Sequence, residues 1–289
     1  MSRAFGEEVW GRRVARLPAR GTLLFATDLQ GNLRDYQTLK AIYAREEAEG
    51  NEPVLLLAGD LIHGPSADLH LPGAWPEHLG TPYEDASREL VLDYLEWSRT
   101  ARTVSLLGNH EHAHVGGPRV AKFHRDEAAV LDDALGPDRE RVYAFFRTFP
   151  LIAVAPCGAA FTHGAPAATE RSLEDFERLT YSGYERTPIH EMIRADTVGA
   201  LLWARSASRE KARAFLAATA LGRLANGFAA YGHDIVREGW CLEGPEQVCV
   251  STSFGLFDDR KVYLRLALDG WYSSAQALRP GIEIVPLHP

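Results

Sequence analysis

Short apolar runs alternating with segments of helical spacing predict an α/β fold. Three observations carry this expectation. Strand-like and helix-like segments alternate through the first hundred residues, and each of three such strands ends in a polar cluster. The later strands are short and joined by turns, an antiparallel habit. The expected architecture is therefore a sheet built from strand–helix units, with a second, more antiparallel sheet packed against it.

Residues 22–26 (TLLFA) lie between Gly21 and a polar loop at Asp28, as a strand buried on both faces should. From 33 to 49, Leu33, Tyr36, Leu39, Ile42 and Tyr43 recur at helical spacing, and Gly50 ends the helix. Residues 53–58 (PVLLLA) make a second buried strand leading to Asp60. A helix over 83–101 presents Leu90, Leu92, Tyr94, Leu95 and Trp97, and a third strand, 103–107 (TVSLL), delivers Asn109 and His110. The carboxyl ends of strands are where open α/β sheets bind ligands. Beyond these, 151–155 and 159–161 read as strands around Pro156, Cys157 and Gly158, with His163 following. Helices are expected over 173–180 and 208–226, and strands near 228–231, 247–250 and 262–268. No repeat or linker divides the chain, so residues 1–289 should form one domain. An irregular insertion at about 64–81, rich in proline and glycine, follows Asp60 directly and suits a lid or substrate wall.

Composition narrows the function. With 289 residues, 46% apolar and 24% charged, the chain has the balance of a soluble globular protein. A net charge of −8 leaves no basic surplus for nucleic acid or an anionic membrane, and no binding to either is expected. Lysine occurs only at Lys40, Lys122, Lys211 and Lys261. Cys157, Cys241 and Cys249 make neither a disulfide framework nor a zinc ribbon; free thiols of a reducing cytosol are expected, with Cys241 and Cys249 facing each other on neighbouring strands as the alternative. Residues 1–20 lack the apolar stretch of a signal peptide, and no run reaches the length of a membrane span, so the expected location is cytoplasmic. Oligomeric state stays open.

Five segments carry the chemistry: Asp28-Leu29-Gln30-Gly31-Asn32, Gly59-Asp60, Gly108-Asn109-His110-Glu111, His163-Gly164 and Gly232-His233-Asp234. Carboxylates are hard ligands for divalent ions, imidazoles suit transition metals and zinc, and a carboxamide can offer its oxygen. Asp60 is the natural bridge between two ions, with Asp28 serving one and Asn109, His163 and His233 the other. Each fragment alone is weak, since a Gly-Asp after a strand is usually a turn. Together, in this order and at strand ends, they outweigh the reading as turns and caps.

The stretches TDLQGN, AGDLIHG, LGNHEHA, THGAP and YGHDIV resemble the calcineurin-like metallophosphoesterases. Within them they are most similar to the phosphoprotein phosphatase (PPP) group and its bacterial relatives, which include dinucleoside polyphosphate hydrolases. Leu201-Leu202-Trp203-Ala204-Arg205 and residues 248–266 strengthen that likeness, which spans roughly 22–268. The resemblance implies a four-layer αββα sandwich of two mixed sheets flanked by helices. It also implies two divalent ions, manganese first, with iron, zinc or magnesium as alternatives. Asp28, the residue at Gln30 and Asp60 would hold metal one; Asp60, Asn109, His163 and His233 would hold metal two. His110 would protonate the leaving alkoxide, Arg205 would clamp phosphate oxygens, and a water shared by the ions would attack in line.

Several positions depart from that pattern. Gln30 stands where the family has a histidine, so metal one should bind weakly or not at all. His63 takes the place of the aspartate that orients the catalytic histidine, while Gly64 and Leu107 replace phosphate-binding arginines for which Arg34, Arg119 or Arg125 are candidate substitutes. His63, His112 and His114 are accessory candidates, the last two as replacements for the missing ligand; Glu111 is expected to fix its loop. The first expectation is a PPP-like serine/threonine protein phosphatase acting on a phosphoprotein or small phosphoester. A nucleotide or dinucleoside polyphosphate hydrolase is the alternative, and a non-catalytic phosphate- or metal-binding module is the alternative of another class.

Overall fold

The computed structural model describes residues 13–195, 197–222 and 225–288; part of the helix expected over 208–226, and most of the N-terminal stretch read as lacking a signal peptide, lie outside them. The strands are β1 (Val14–Arg16), β2 (Thr22–Ala26), β3 (Val54–Leu57), β4 (Thr103–Ser105), β5 (Ile152–Ala155), β6 (Ala159–Thr162), β7 (Phe228–Tyr231), β8 (Trp240–Leu242), β9 (Gln247–Val250), β10 (Val262–Ala267) and β11 (Ile284–Pro286). They form a five-stranded sheet, ordered β11-β10-β2-β3-β4, and a six-stranded sheet, ordered β1-β5-β6-β7-β9-β8. In the first, β2, β3 and β4 are parallel and β10 is antiparallel to β2.

The second sheet corrects the antiparallel expectation. Its central pairs, β6 with β7 and β7 with β9, are parallel; only β5–β6 and β8–β9 are antiparallel. The strand at 262–268 also joins the first sheet, through β2. Helices lie between β6 and β7, giving the long crossover that a parallel pair requires. As a result both sheets offer carboxyl ends of parallel strands, the first leading to Asp28, Asp60 and Asn109, the second to His163 and His233.

Alternation along each strand builds the layers. Leu23 and Phe25, with Leu56, Val104 and Leu264, pack against Ala153, Phe161, Phe228, Ala230 and Val248 of the other sheet. The Phe25 and Phe161 ring centroids are 5.0 Å apart. The opposite faces carry Leu24, Leu55 and Leu57, covered by α1 (Leu33–Ala48) and α2 (Ser87–Trp97), and Ile152, Val154 and Ala229, with Phe176, Leu201 and Phe215 from the later helices in the same cluster. The fold is a four-layer αββα sandwich.

Three helices are shorter than their apolar spacing suggested, at 87–97, 173–177 and 209–218. Before α2, Asp85 Oδ1 accepts the Ser87 backbone N–H and hydroxyl, and Tyr83 reaches the Gln30 carbonyl, so 83–86 is committed elsewhere. At the end of the 209–218 helix, the Asn226 amide donates to the Thr219 carbonyl, engaging an oxygen that further turns would have used. Short helices α3 (Asn109–His112), α4 (Glu127–Leu135) and α5 (Arg139–Phe146), and strands β1, β8 and β11, had no clear sequence signal. The 64–81 segment contains two 3-10 turns and is tied down by the Trp75 indole N–H to the Gly80 carbonyl and by Thr81 N–H to the Leu256 carbonyl.

Candidate metal centre

Each strand end turns sharply to present its ligand. Asp28, Gln30, Asp60, His63 and His233 all have positive φ, between 41° and 68°, and among described non-glycine residues only Glu52 shares that conformation. Such backbone is costly for residues with a Cβ and persists where packing over-determines it. Here the loops brace one another: Gln30 N–H donates to the Asp60 carbonyl, Gly31 N–H to the Leu61 carbonyl, and Gly232 N–H to the His163 carbonyl. Buried Glu111 accepts backbone N–H groups from Gly108, Asp60 and Leu61, so it serves as the anchor of the loop.

Four donor atoms converge at the second site. His163 Nε2 lies 2.8 Å from Asn109 Oδ1, 3.1 Å from His233 Nδ1 and 3.5 Å from Asp60 Oδ2. Ligand atoms roughly 2.1 Å from a common ion stand about 3.0–3.5 Å apart, so this set fits a divalent cation. The His163 tautomer also fits. Its Nδ1–H donates to the Ala58 carbonyl at 2.8 Å, leaving the Nε2 lone pair free. Burial depresses the imidazolium forms of His163 and His233, keeping both rings neutral as ligands require.

The first site does not gather ligands in this way. Asp28 Oδ2 accepts the His233 backbone N–H at 3.0 Å, and burial lifts its carboxyl to about 6. Gln30 Oε1, the atom this side chain could offer an ion, accepts from Lys122 Nζ at 2.9 Å. Burial also raises the Asp60 carboxyl.

His110 sits beside the second site with Nε2 3.7 Å from Asp60 Oδ2. Its Nδ1 is 2.8 Å from His63 Nδ1, and His63 Nε2 is 3.0 Å from His114 Nε2. His114 Nδ1 meets the Tyr143 hydroxyl, which donates to Asp132. Glu127 Oε2, buried and without a hydrogen-bond partner, lies 3.5 Å from Nδ1 of both His63 and His110. Thus His63 and His114 support His110, whereas His112 points to the Tyr181 carbonyl; neither His112 nor His114 replaces a ligand at Gln30.

Of the arginines, Arg205 stands at the rim, paired with Asp234 and 3.5 Å from the His233 carbonyl. Arg34 pairs with Asp258 and Arg119 with Asp126, so both are engaged with carboxylates. Gly64 has no room for a side chain: a Cβ would sit 2.6 Å from the Gln30 carbonyl oxygen and 2.7 Å from Asp85 Oδ1. Lys122, Glu127, Tyr143 and Asp132 were not anticipated. The scarcity of lysine was the only sequence signal for any of them.

A family model for calcineurin-like phosphoesterases matches residues 21–241. No curated protein matches the chain. Among solved structures, a protein serine/threonine phosphatase from Saccharomyces cerevisiae, similar to human phosphatase PP5, aligns with TM-score 0.53 at 12% identity, over 89% of this chain and 77% of that one. A cold-active protein tyrosine phosphatase aligns with TM-score 0.52 at 11% identity, over 93% and 83%. At such identities the likeness speaks for the fold. With more than half its length matched by the family model, the chain belongs to the calcineurin-like phosphoesterases and is a phosphoester hydrolase.

Proposed function

We propose that the chain is a metal-dependent phosphomonoesterase of the PPP type, acting on phosphorylated serine or threonine in proteins. The observation that carries this is the convergence of Asp60, Asn109, His163 and His233 beside His110. A divalent ion held there, manganese first, would supply Lewis acidity to phosphoryl oxygens and lower the pKa of water. A cytoplasmic setting belongs to the same reading.

The protein's own groups account for the proton. Tyr143 donates to Asp132, so His114 Nδ1–H must donate to the Tyr143 oxygen. His114 Nε2 then accepts from His63, and His63 Nδ1 accepts from His110 Nδ1–H. That order leaves the His110 Nε2 lone pair facing the site. Burial, and next the Lys122 charge, hold His110 neutral in the free protein. A bound phosphoryl group brings negative charge that favours the imidazolium, with Glu127 Oε2 as counter-charge at 3.5 Å. Nε2–H can then protonate the leaving alkoxide. Arg205, exposed at the rim and paired with Asp234, would hold phosphoryl oxygens.

A polypeptide substrate is favoured by the groove beyond His233. Ile235, Arg237, Phe257 and Arg260, with Glu77 and His78 from the 64–81 insertion, line an open cavity of about 640 Å³. Its walls mix apolar side chains with charges of both signs, Glu238 included, and such walls suit the varied flanking side chains of a phosphopeptide. The test is turnover of phosphoserine peptides, with and without chelator, against dinucleoside polyphosphates. Replacing His110 by alanine should lower kcat by about 10²-fold or more, as loss of a general acid does, while metal content is retained. Absence of turnover with manganese, iron, zinc or magnesium in a normally folded protein would assign the chain to a binding module instead.

A further inference from the structure

Family likeness implies a second ion between Asp28, residue 30 and Asp60, and the residues here do not fit one. We propose that the ammonium of Lys122, held on Gln30 Oε1, stands in for the charge of that ion, making this a single-ion centre in which Lys122 and Gln30 complete the pocket. The inference rests on the metal-dependent reading above and goes beyond it.

Four observations carry it. First, Gln30 Oε1, the atom that this side chain would offer an ion, accepts from Lys122 Nζ at 2.9 Å. An ion bound to that oxygen would stand close to a like charge, which disfavours it. Second, the ammonium has a built seat. It lies 3.6 Å from the centroid of buried Phe254 and 5.3 Å from that of Phe123, with the two rings 5.8 Å apart.

Third, the backbone that carries Lys122 is fixed. Lys122 N–H and Phe123 N–H both donate to Glu127 Oε1, at 3.0 and 2.6 Å. The other Glu127 oxygen faces His63 and His110, so one carboxylate places both the cation and the His110 pair. Fourth, the ligand groupings set Asp28 apart from Asp60. Among the described residues, the metal-suited group containing Asp60 is Asp60, His163 and His233, and it leaves Asp28 out.

An ammonium is a compact point charge with three donors, which suits a pocket built for an ion better than a planar guanidinium would. It can hold a phosphoryl oxygen, but it is not a Lewis acid and cannot acidify water as an ion does. Lewis acidity would therefore come from the second site alone.

The experiment is metal stoichiometry. The full-length protein is loaded with excess manganese, desalted, and analysed by elemental analysis and electron paramagnetic resonance. One ion per chain with the six-line spectrum of an isolated manganese is expected. In the double variant Gln30→His with Lys122→Met, two ions per chain with spin–spin coupling are expected. Two coupled ions in the unaltered protein would overturn the inference while leaving the hydrolase reading intact. A single ion in the folded double variant would also overturn it, because Lys122 would then not be what excludes the second ion. No ion in the unaltered protein would overturn the metal-dependent reading itself.

Discussion

At the residue scale, burial controls the charge of the centre. Taking Asp28 and Asp60 out of water raises both carboxyls, whereas the same burial keeps His163 and His233 neutral. Proton and cation therefore compete for Asp60 but not for the two rings. Metal affinity should fall as pH falls, because the carboxyl raised in the metal-free protein takes up a proton that the ion must displace. The slope should approach one decade per pH unit towards pH 5.5 and flatten above neutrality. Calorimetric titration with manganese at several pH values checks this. A slope near three would mean that the histidines are also protonated, and a flat profile would mean that Asp60 is ionised throughout.

At the element scale, strand ends meet so closely that glycine is required between them. A Cβ on Gly108 would come within 2.3 Å of Asp60 N and Oδ1 and 2.6 Å of Glu111 Oε2, which are fixed groups of the anchor. Gly108→Ala should cost about 1–3 kcal/mol and weaken manganese binding at the same time. Gly50, at a positive φ with open space around it, provides the contrast. There alanine should cost about 1 kcal/mol through backbone conformation alone and leave the centre unchanged. Thermal melts with parallel metal titrations separate the two. Equal losses at both positions would show that close approach is not what Gly108 provides.

For the whole molecule, the centre depends on two sheets staying face to face. Phe25 and Phe161 are fully buried at that interface, and Phe161 lies two residues before His163. Phe161→Ala should cost about 3–5 kcal/mol, read as a lower urea midpoint with an unchanged slope, and metal binding should be lost in the same transition. Trp271, 53% exposed, should tolerate alanine within about 0.5 kcal/mol. Among the described residues no helix is long and apolar enough to cross a membrane.

The sequence by itself determined the α/β class, the strands at Thr22–Ala26, Phe228–Tyr231 and Gln247–Val250, and the order in which ligand types appear at strand ends. The facing of Cys241 and Cys249, which the sequence offered only as an alternative, is found in register on β8 and β9, with both as free thiols. These are local properties, because periodicity and turn residues act over a few positions. Only the tertiary structure decided which strands of the second sheet run parallel, since a crossover direction leaves no local pattern. Only it brought Lys122 to Gln30, 92 residues away, and set Glu127 between the Lys122 loop and His110. A lysine in a loop reads as a solvated charge until the fold supplies an amide oxygen and two aromatic rings around its tip. The surroundings of Lys122 therefore lie in packing, which no single stretch of sequence encodes.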